Sequence, residues 1–168
     1  MNNRSSVCGR FAPSPTGRMH LGNVFSALLS WLSARAQGGT WLLRMEDIDP
    51  QRSRHEYADM LMDDLQWLGL EWDGKPCWQS QRGDIYARYL QQLTEAGLIY
   101  PCYCTRADIL ATQAPHESDG RVVYKGTCRN LPPGTHTGPA ALRMKVPDEG
   151  RGIVTFTDGH YGTHTVDL

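Results

Sequence analysis

The densest run of chemically capable residues is RFAPSPTGRMHLGN, from Arg10 to Asn23. A short apolar stretch delivers Arg10, and Pro13, Pro15 and Gly17 make a stiff loop after it. His20 and Gly22 then stand where an apolar-periodic segment begins. The first turn of a helix carries unpaired N–H groups and a partial positive charge, which suits phosphates. Gly22 would let a ligand approach the backbone closely. His20 could donate a hydrogen bond to an anionic transition state. The same spacing also fits a proline-rich turn entering a core helix, with His20 at the surface.

A second group lies in LLRMEDIDPQR, Leu42 to Arg52. Its acids follow an apolar run that reads as a strand, and open α/β sheets bind ligands beyond the carboxyl ends of their strands. Asp47 and Asp49 read more simply as a solvated acidic turn. A third group is Cys102-x-Cys104, then nineteen residues, Tyr124, three residues and Cys128. Three thiolates and one further donor suit tetrahedral zinc. By ligand type the further donor is His116, because imidazole is a commoner zinc ligand than phenolate. A site filled by four protein ligands is closed, and so structural rather than catalytic.

These groups need elements to hold them. Val7 to Phe11 reads as a first strand. From Leu21 the apolar residues Val24, Phe25, Leu28, Leu29, Leu32 and Ala36 recur at spacings of three and four, predicting an amphipathic helix stopped by Gly38-Gly39. Thr40 to Met45 reads as a second, buried strand, which completes a βαβ unit with a right-handed crossover. A helix over 54–68 should turn Met60, Leu61, Leu65 and Leu68 inward. Trp72 to Gln81 reads as an irregular connection, Gly83 to Ala96 as a helix, and Ile99 to Cys102 as a third strand. Between Cys102 and Gly138, Gly, Pro, Thr and Cys dominate and periodicity fades, so a metal would replace the missing core. Strands resume at Leu142 to Val146 and Ile153 to Asp158. The five tryptophans read as packing residues, and Cys8 and Cys77 as buried free thiols.

Composition narrows the class. The chain has 168 residues, 40% hydrophobic and 21% charged, the balance of a soluble globular protein. The stretch from Leu21 to Leu32 is broken by Gly22, Asn23 and Ser26 and is too short to span a bilayer. MNNRSS lacks a signal peptide's apolar core, so a cytoplasmic location with no membrane partner is expected. A net charge of −1 gives no basic footprint for nucleic acid. Five cysteines without a secretory signal argue against a disulfide scaffold.

The Arg10–Asn23 segment resembles the HIGH-region signature of the class I glutamyl- and glutaminyl-tRNA synthetases. The resemblance implies an α/β, Rossmann-type class I synthetase catalytic domain that makes an aminoacyl adenylate from glutamate and ATP, with Mg²⁺ accompanying the ATP. It implies that Arg10 pairs with a carboxylate of bound glutamate, that Phe11, Ala12, Pro13 and Ser14 surround the amino acid, and that Glu46 takes its ammonium. His20, Gly22 and position 23 would serve the catalytic step at the ATP phosphates. Asn23 departs from the signature, which has a second histidine there.

The wording EDID-P-x-R and WDG-x-x-x-W-Q-S-x-R, ending at Arg82, is similar to the shorter glutamyl-Q tRNA(Asp) synthetase branch, which loads glutamate onto the queuosine base of tRNA(Asp). That resemblance implies one structural zinc held by Cys102, Cys104, Tyr124 and Cys128, with Tyr124 in place of His116. It gives three expected parts: 1–101 as the first half of the catalytic domain, 102–138 as a zinc-held insert, and 139–168 as the start of the remainder. No KMSKS-type loop occurs, so the chain reads as an N-terminal fragment, monomeric and inactive alone. Other readings are a glutamyl-tRNA synthetase charging tRNA(Glu), a non-catalytic zinc module that binds RNA or protein, and a structural remnant without ligands.

Overall fold

The computed structural model describes residues 7–111, 124–132, 134–146 and 152–167. It divides into two compact units, residues 1–87 and 88–168. The first contains β1 (Cys8–Phe11), α1 (Leu21–Arg35), β2 (Thr40–Met45), α2 (His55–Trp67) and β3 (Cys77–Trp78). A 3-10 turn, Gln79–Arg82, leads into α3 (Gly83–Glu95). The sheet order is β1-β2-β3 and both pairings are parallel, with Cys8 opposite Thr40 and Met45 opposite Trp78. The third strand of this sheet therefore lies in the stretch expected to be irregular.

β2 alternates, which is how a strand buries one face. Trp41, Leu43 and Met45 are buried while Leu42 is exposed. Against them pack Phe11, Ala27, Ala34, Ala58, Leu61, Leu65 and Leu70. Full burial of one such leucine is worth roughly 1.5–3 kcal/mol.

The buried side of α1 is not the one its leucines suggest. Ala27 and Ala34 are buried, whereas Leu21, Phe25, Leu28, Leu29 and Leu32 are 38–83% exposed. The cause is close approach to the sheet. A Cβ on Gly9 would meet Ala34 Cβ and Trp41 Cδ1, each at 3.0 Å, so only small residues fit between helix and strand. In α2 the inward residues are Ala58, Leu61 and Leu65; Met60 and Leu68 are exposed because they lie off that face. Trp67 is 86% exposed and is not a core residue, while Trp31, Trp72 and Trp78 pack at the core's margin. Cys8 is exposed and Cys77 half-buried, so neither is a buried thiol.

The second unit has β4 (Ile99–Cys102), α4 (Arg106–Ala111), β5 (Ala141–Met144), β6 (Ile153–Asp158) and β7 (Gly162–Asp167). β4 pairs antiparallel with β5 rather than joining the parallel sheet. β6 and β7 form a hairpin whose second strand the sequence reading did not anticipate. α4 also breaks into a segment read as free of regular structure. Among the described residues the buried hydrophobic side chains of this unit are Tyr100, Cys102 and Cys128, flanked by Tyr103, Cys104 and Tyr124. No helix among the described residues is long and apolar enough to cross a membrane.

Candidate functional site

The loop after β1 is pinned from both sides. Phe11 is buried and stacks on Trp41, with ring centroids 6.2 Å apart. Pro13 and Pro15 are buried too. Prolines lack an N–H but keep a strong acceptor. The Glu46 N–H donates to the Pro13 carbonyl at 2.9 Å, and the Arg54 N–H to the Pro15 carbonyl at 3.0 Å. The loop is thereby held between the carboxyl end of β2 and the start of α2.

This pinning brings most of the sequence-predicted residues together. Phe11, Ala12, Pro13, Ser14, His20 and Asn23 line a cavity of about 480 Å³. Ser14 and Glu46 line a second one of about 400 Å³, and Ser14 and Thr16 belong to both walls. Arg10, exposed on β1, and Gly22 line neither.

His20 is the N-cap of α1. Its Nδ1 accepts from the Gly22 N–H at 3.1 Å, and its own N–H donates to Asn23 Oδ1 at 3.1 Å. Asn23 thus completes a capping box, which gives the departure from the signature a structural role. With Nδ1 accepting, a neutral ring carries its proton on Nε2, which leaves that N–H to donate outward. A Cβ on Gly22 would come within 3.0 Å of His20 Cε1, so the glycine makes room for the imidazole.

Glu46 has a partner that the sequence reading overlooked. Arg44 Nε lies 3.5 Å from Glu46 Oε1, and Arg44 Nη2 donates to Tyr86 Oη at 2.8 Å. The spacing Arg44-x-Glu46 on one face of a strand was a readable signal for this pair. Asp47 and Asp49 are loop braces. Burial raises Asp47, but hydrogen bonds from the Ser80 hydroxyl and N–H outweigh it and hold the carboxyl below its ordinary range. Asp49 is held low by Arg52, whose Nε is 2.9 Å from Oδ2.

The second unit gathers the cysteines. The sulfurs of Cys102, Cys104 and Cys128 all lie within 4.8 Å of one another, and those of Cys104 and Cys128 are 3.5 Å apart. Tyr124 Oη is 3.3 Å from Cys102 Sγ and 3.9 Å from Cys104 Sγ, and it accepts the Cys128 N–H at 2.8 Å. A tetrahedron with metal–sulfur bonds of about 2.3 Å spaces its sulfurs by roughly 3.8 Å. The donor set and its dimensions therefore fit zinc. Burial pushes the Cys102 thiol up, yet hydrogen bonds with Tyr124 and Arg143 prevail and lower it to about 7. Hydrogen bonding with Tyr124 also lowers Cys128, whereas the Cys128 contact raises Cys104. Burial, then hydrogen bonds with Cys102 and Cys128, drive the Tyr124 phenol upward. His116 lies outside the described residues.

A parallel sheet with a pinned, proline-rich loop entering a helix is a recurring arrangement, and comparison with known proteins decides which one this is. The model of the tRNA synthetases class I (E and Q), catalytic domain, matches residues 6–167. The chain belongs to this synthetase family. A Glutamyl-Q tRNA(Asp) synthetase from Nitratidesulfovibrio vulgaris is 48% identical over 171 residues, covering 93% of this chain and 52% of the relative. One from Burkholderia orbicola is 47% identical over 162 residues, covering 95% and 53%. A crystal structure of a glutamate tRNA ligase from Elizabethkingia meningosepticum in complex with its amino acid superposes with a TM-score of 0.75 at 32% identity, over 96% of this chain and 36% of that one. The α/β class I synthetase fold expected from the sequence is thus the fold of this synthetase chain. It spans about half the length of the curated relatives it matches.

Proposed function

We propose that the protein activates glutamate with ATP and transfers the glutamyl group to the queuosine base of tRNA(Asp). The observation that supports this reading is the bond from the Glu46 N–H to the Pro13 carbonyl, which brings Glu46 into a cavity wall shared with Ser14. Glu46 takes the substrate ammonium, Arg10 a carboxylate, and Phe11, Ala12, Pro13 and Ser14 form the walls. The glutamate carboxylate attacks the α-phosphorus in line and pyrophosphate leaves. That carboxylate is already ionised at neutral pH, so no general base is needed. His20, through Nε2–H, and the α1 N-terminus with Gly22 and Asn23 stabilise phosphate charge, alongside the Mg²⁺ that accompanies ATP. Cys102, Cys104, Tyr124 and Cys128 hold one structural zinc, which ties the end of β4 to the segment around Cys128.

The deciding experiment follows pyrophosphate exchange and glutamate transfer by this chain, and by this chain joined to the remaining half of the N. vulgaris relative. Transfer to queuosine-bearing tRNA(Asp), and none to the same tRNA without queuosine, is the expected result. Charging of tRNA(Glu) instead would establish the second reading, which the structural likeness to a glutamate tRNA ligase favours. Zinc uptake with neither glutamate binding nor exchange in the joined chain would leave a zinc-held binding module.

A further inference from the structure

We propose that Arg143 is a positioning residue of the metal centre, a fixed cation over the face of Tyr124 that offsets the negative charge the ligand set brings to the ion. This rests on the zinc reading above. β5 places the arginine by register: Ala141 stands opposite Cys102, and Arg143 opposite Tyr100. Its guanidinium carbon lies 4.1 Å from the centroid of the Tyr124 ring. Its Nε is buried with no hydrogen-bond partner among the described residues.

Charge explains why such a cation belongs there. Three thiolates and a phenolate bring four negative charges to an ion carrying two positive ones. The surplus sits in a partly buried cluster, where unbalanced charge is costly. A guanidinium over a ring is attracted by the electron density of its face, and a phenolate has more of it than a phenol. The guanidinium stacked on the Tyr124 face therefore offsets part of that surplus and holds the ring in place beside the sulfurs. Among the described residues, the charge of Arg129 also acts on Tyr100.

The test uses the full chain and the metal alone. Zn²⁺ affinity is read by competition with a chromophoric chelator, and ligation from the Co²⁺ absorption spectrum. Arg143→Met should bind Zn²⁺ about 10–100-fold more weakly, as loss of an outer partner of a metal ligand does. Its Co²⁺ spectrum should move toward that of Tyr124→Phe. Arg143→Lys should fall between, since it keeps the charge but not the flat stacking surface. Affinity within twofold of the parent, with an unchanged spectrum, overturns the proposal. If Arg143→Met does not fold, Arg143→Lys is compared in the parent and in Tyr124→Phe; equal losses in both backgrounds overturn it. A parent chain that takes up no Zn²⁺ refutes the zinc reading itself and removes this proposal with it.

Discussion

Asp73 accepts a hydrogen bond from the backbone N–H of Trp41 at 2.7 Å, joining residues 32 apart in the chain. The same oxygen lies 2.7 Å from Arg35 Nη1, so one carboxylate ties together α1, β2 and the segment after α2. The Trp41 N–H, then Arg35, hold Asp73 below its ordinary range. A carboxyl lowered by folding stabilises fully above its unfolded pKa of about 3.9 and loses that contribution as pH falls through the folded value. Asp73→Asn should unfold at lower urea than the parent at pH 6, and the gap should shrink below about pH 4. A gap constant from pH 6 to about pH 2.5 would contradict the linkage.

The two faces of α1 predict opposite mutational responses. Leu28→Ala and Leu32→Ala, on the exposed side, should change stability by less than about 0.5 kcal/mol. Ala34→Leu, against Gly9 and Trp41, should cost about 1–3 kcal/mol by overpacking. Leu65→Ala, in the fully buried row of α2, should cost about 2–5 kcal/mol. Urea unfolding of the four variants checks the assignment, and a costly Leu32→Ala with a neutral Ala34→Leu would reverse it.

On the proposed role of Glu46, Glu46→Gln should remove a charge-assisted bond to the substrate ammonium, worth about 1.5–3 kcal/mol, and glutamate should bind roughly 10–150-fold more weakly. Titration calorimetry in the chain joined to its relative's second half measures this, with ATP affinity as the unchanged control. Gly22→Ala should do the converse. Its new Cβ would displace the His20 ring, slowing pyrophosphate exchange while glutamate affinity holds. Loss of glutamate binding in Gly22→Ala would place the loop's role elsewhere.

Removing the proposed zinc should affect the two units unequally. Among the described residues the buried hydrophobic side chains of the second unit are Tyr100, Cys102 and Cys128, so the metal should supply much of its order. The first has its own apolar core. Chelation, or Cys128→Ser, should expose amides of β4 and β5 to hydrogen exchange and leave those of β2 protected. Equal loss of protection in both units would count against a structural role confined to the second.

What the sequence revealed followed the range of the interaction involved. β2, β4 and β6 were legible to the residue because alternation and flanking glycines are local signals. β3 was not, since two residues carry no pattern and their pairing with Arg44 and Met45 is made across the fold. α4 left a signal that went unread: Thr105 and Asp108 cap its start, with the Thr105 N–H on Asp108 Oδ2 at 2.8 Å. The leucine stripe of α1 was conspicuous but said nothing of which face meets the sheet. Gly9, Ala27 and Ala34 decide that, and small residues are silent on a hydropathy plot. At the site, the proline loop and the cysteine spacing were plain, whereas Arg44–Tyr86 and Arg143 emerge only when distant elements meet.

The 3.5 Å gap between the sulfurs of Cys104 and Cys128 leaves two thiols close to each other. A disulfide needs about 2.05 Å, so a small rotation and a two-electron oxidant would join them. Both sulfurs would then be lost to a metal. A bound zinc would shield them from that oxidation, and a metal-free chain kept in air is expected to lose capacity to take zinc up. The fraction of chains that rebind metal only after a reductant is added would thus record how long the site had stood unprotected.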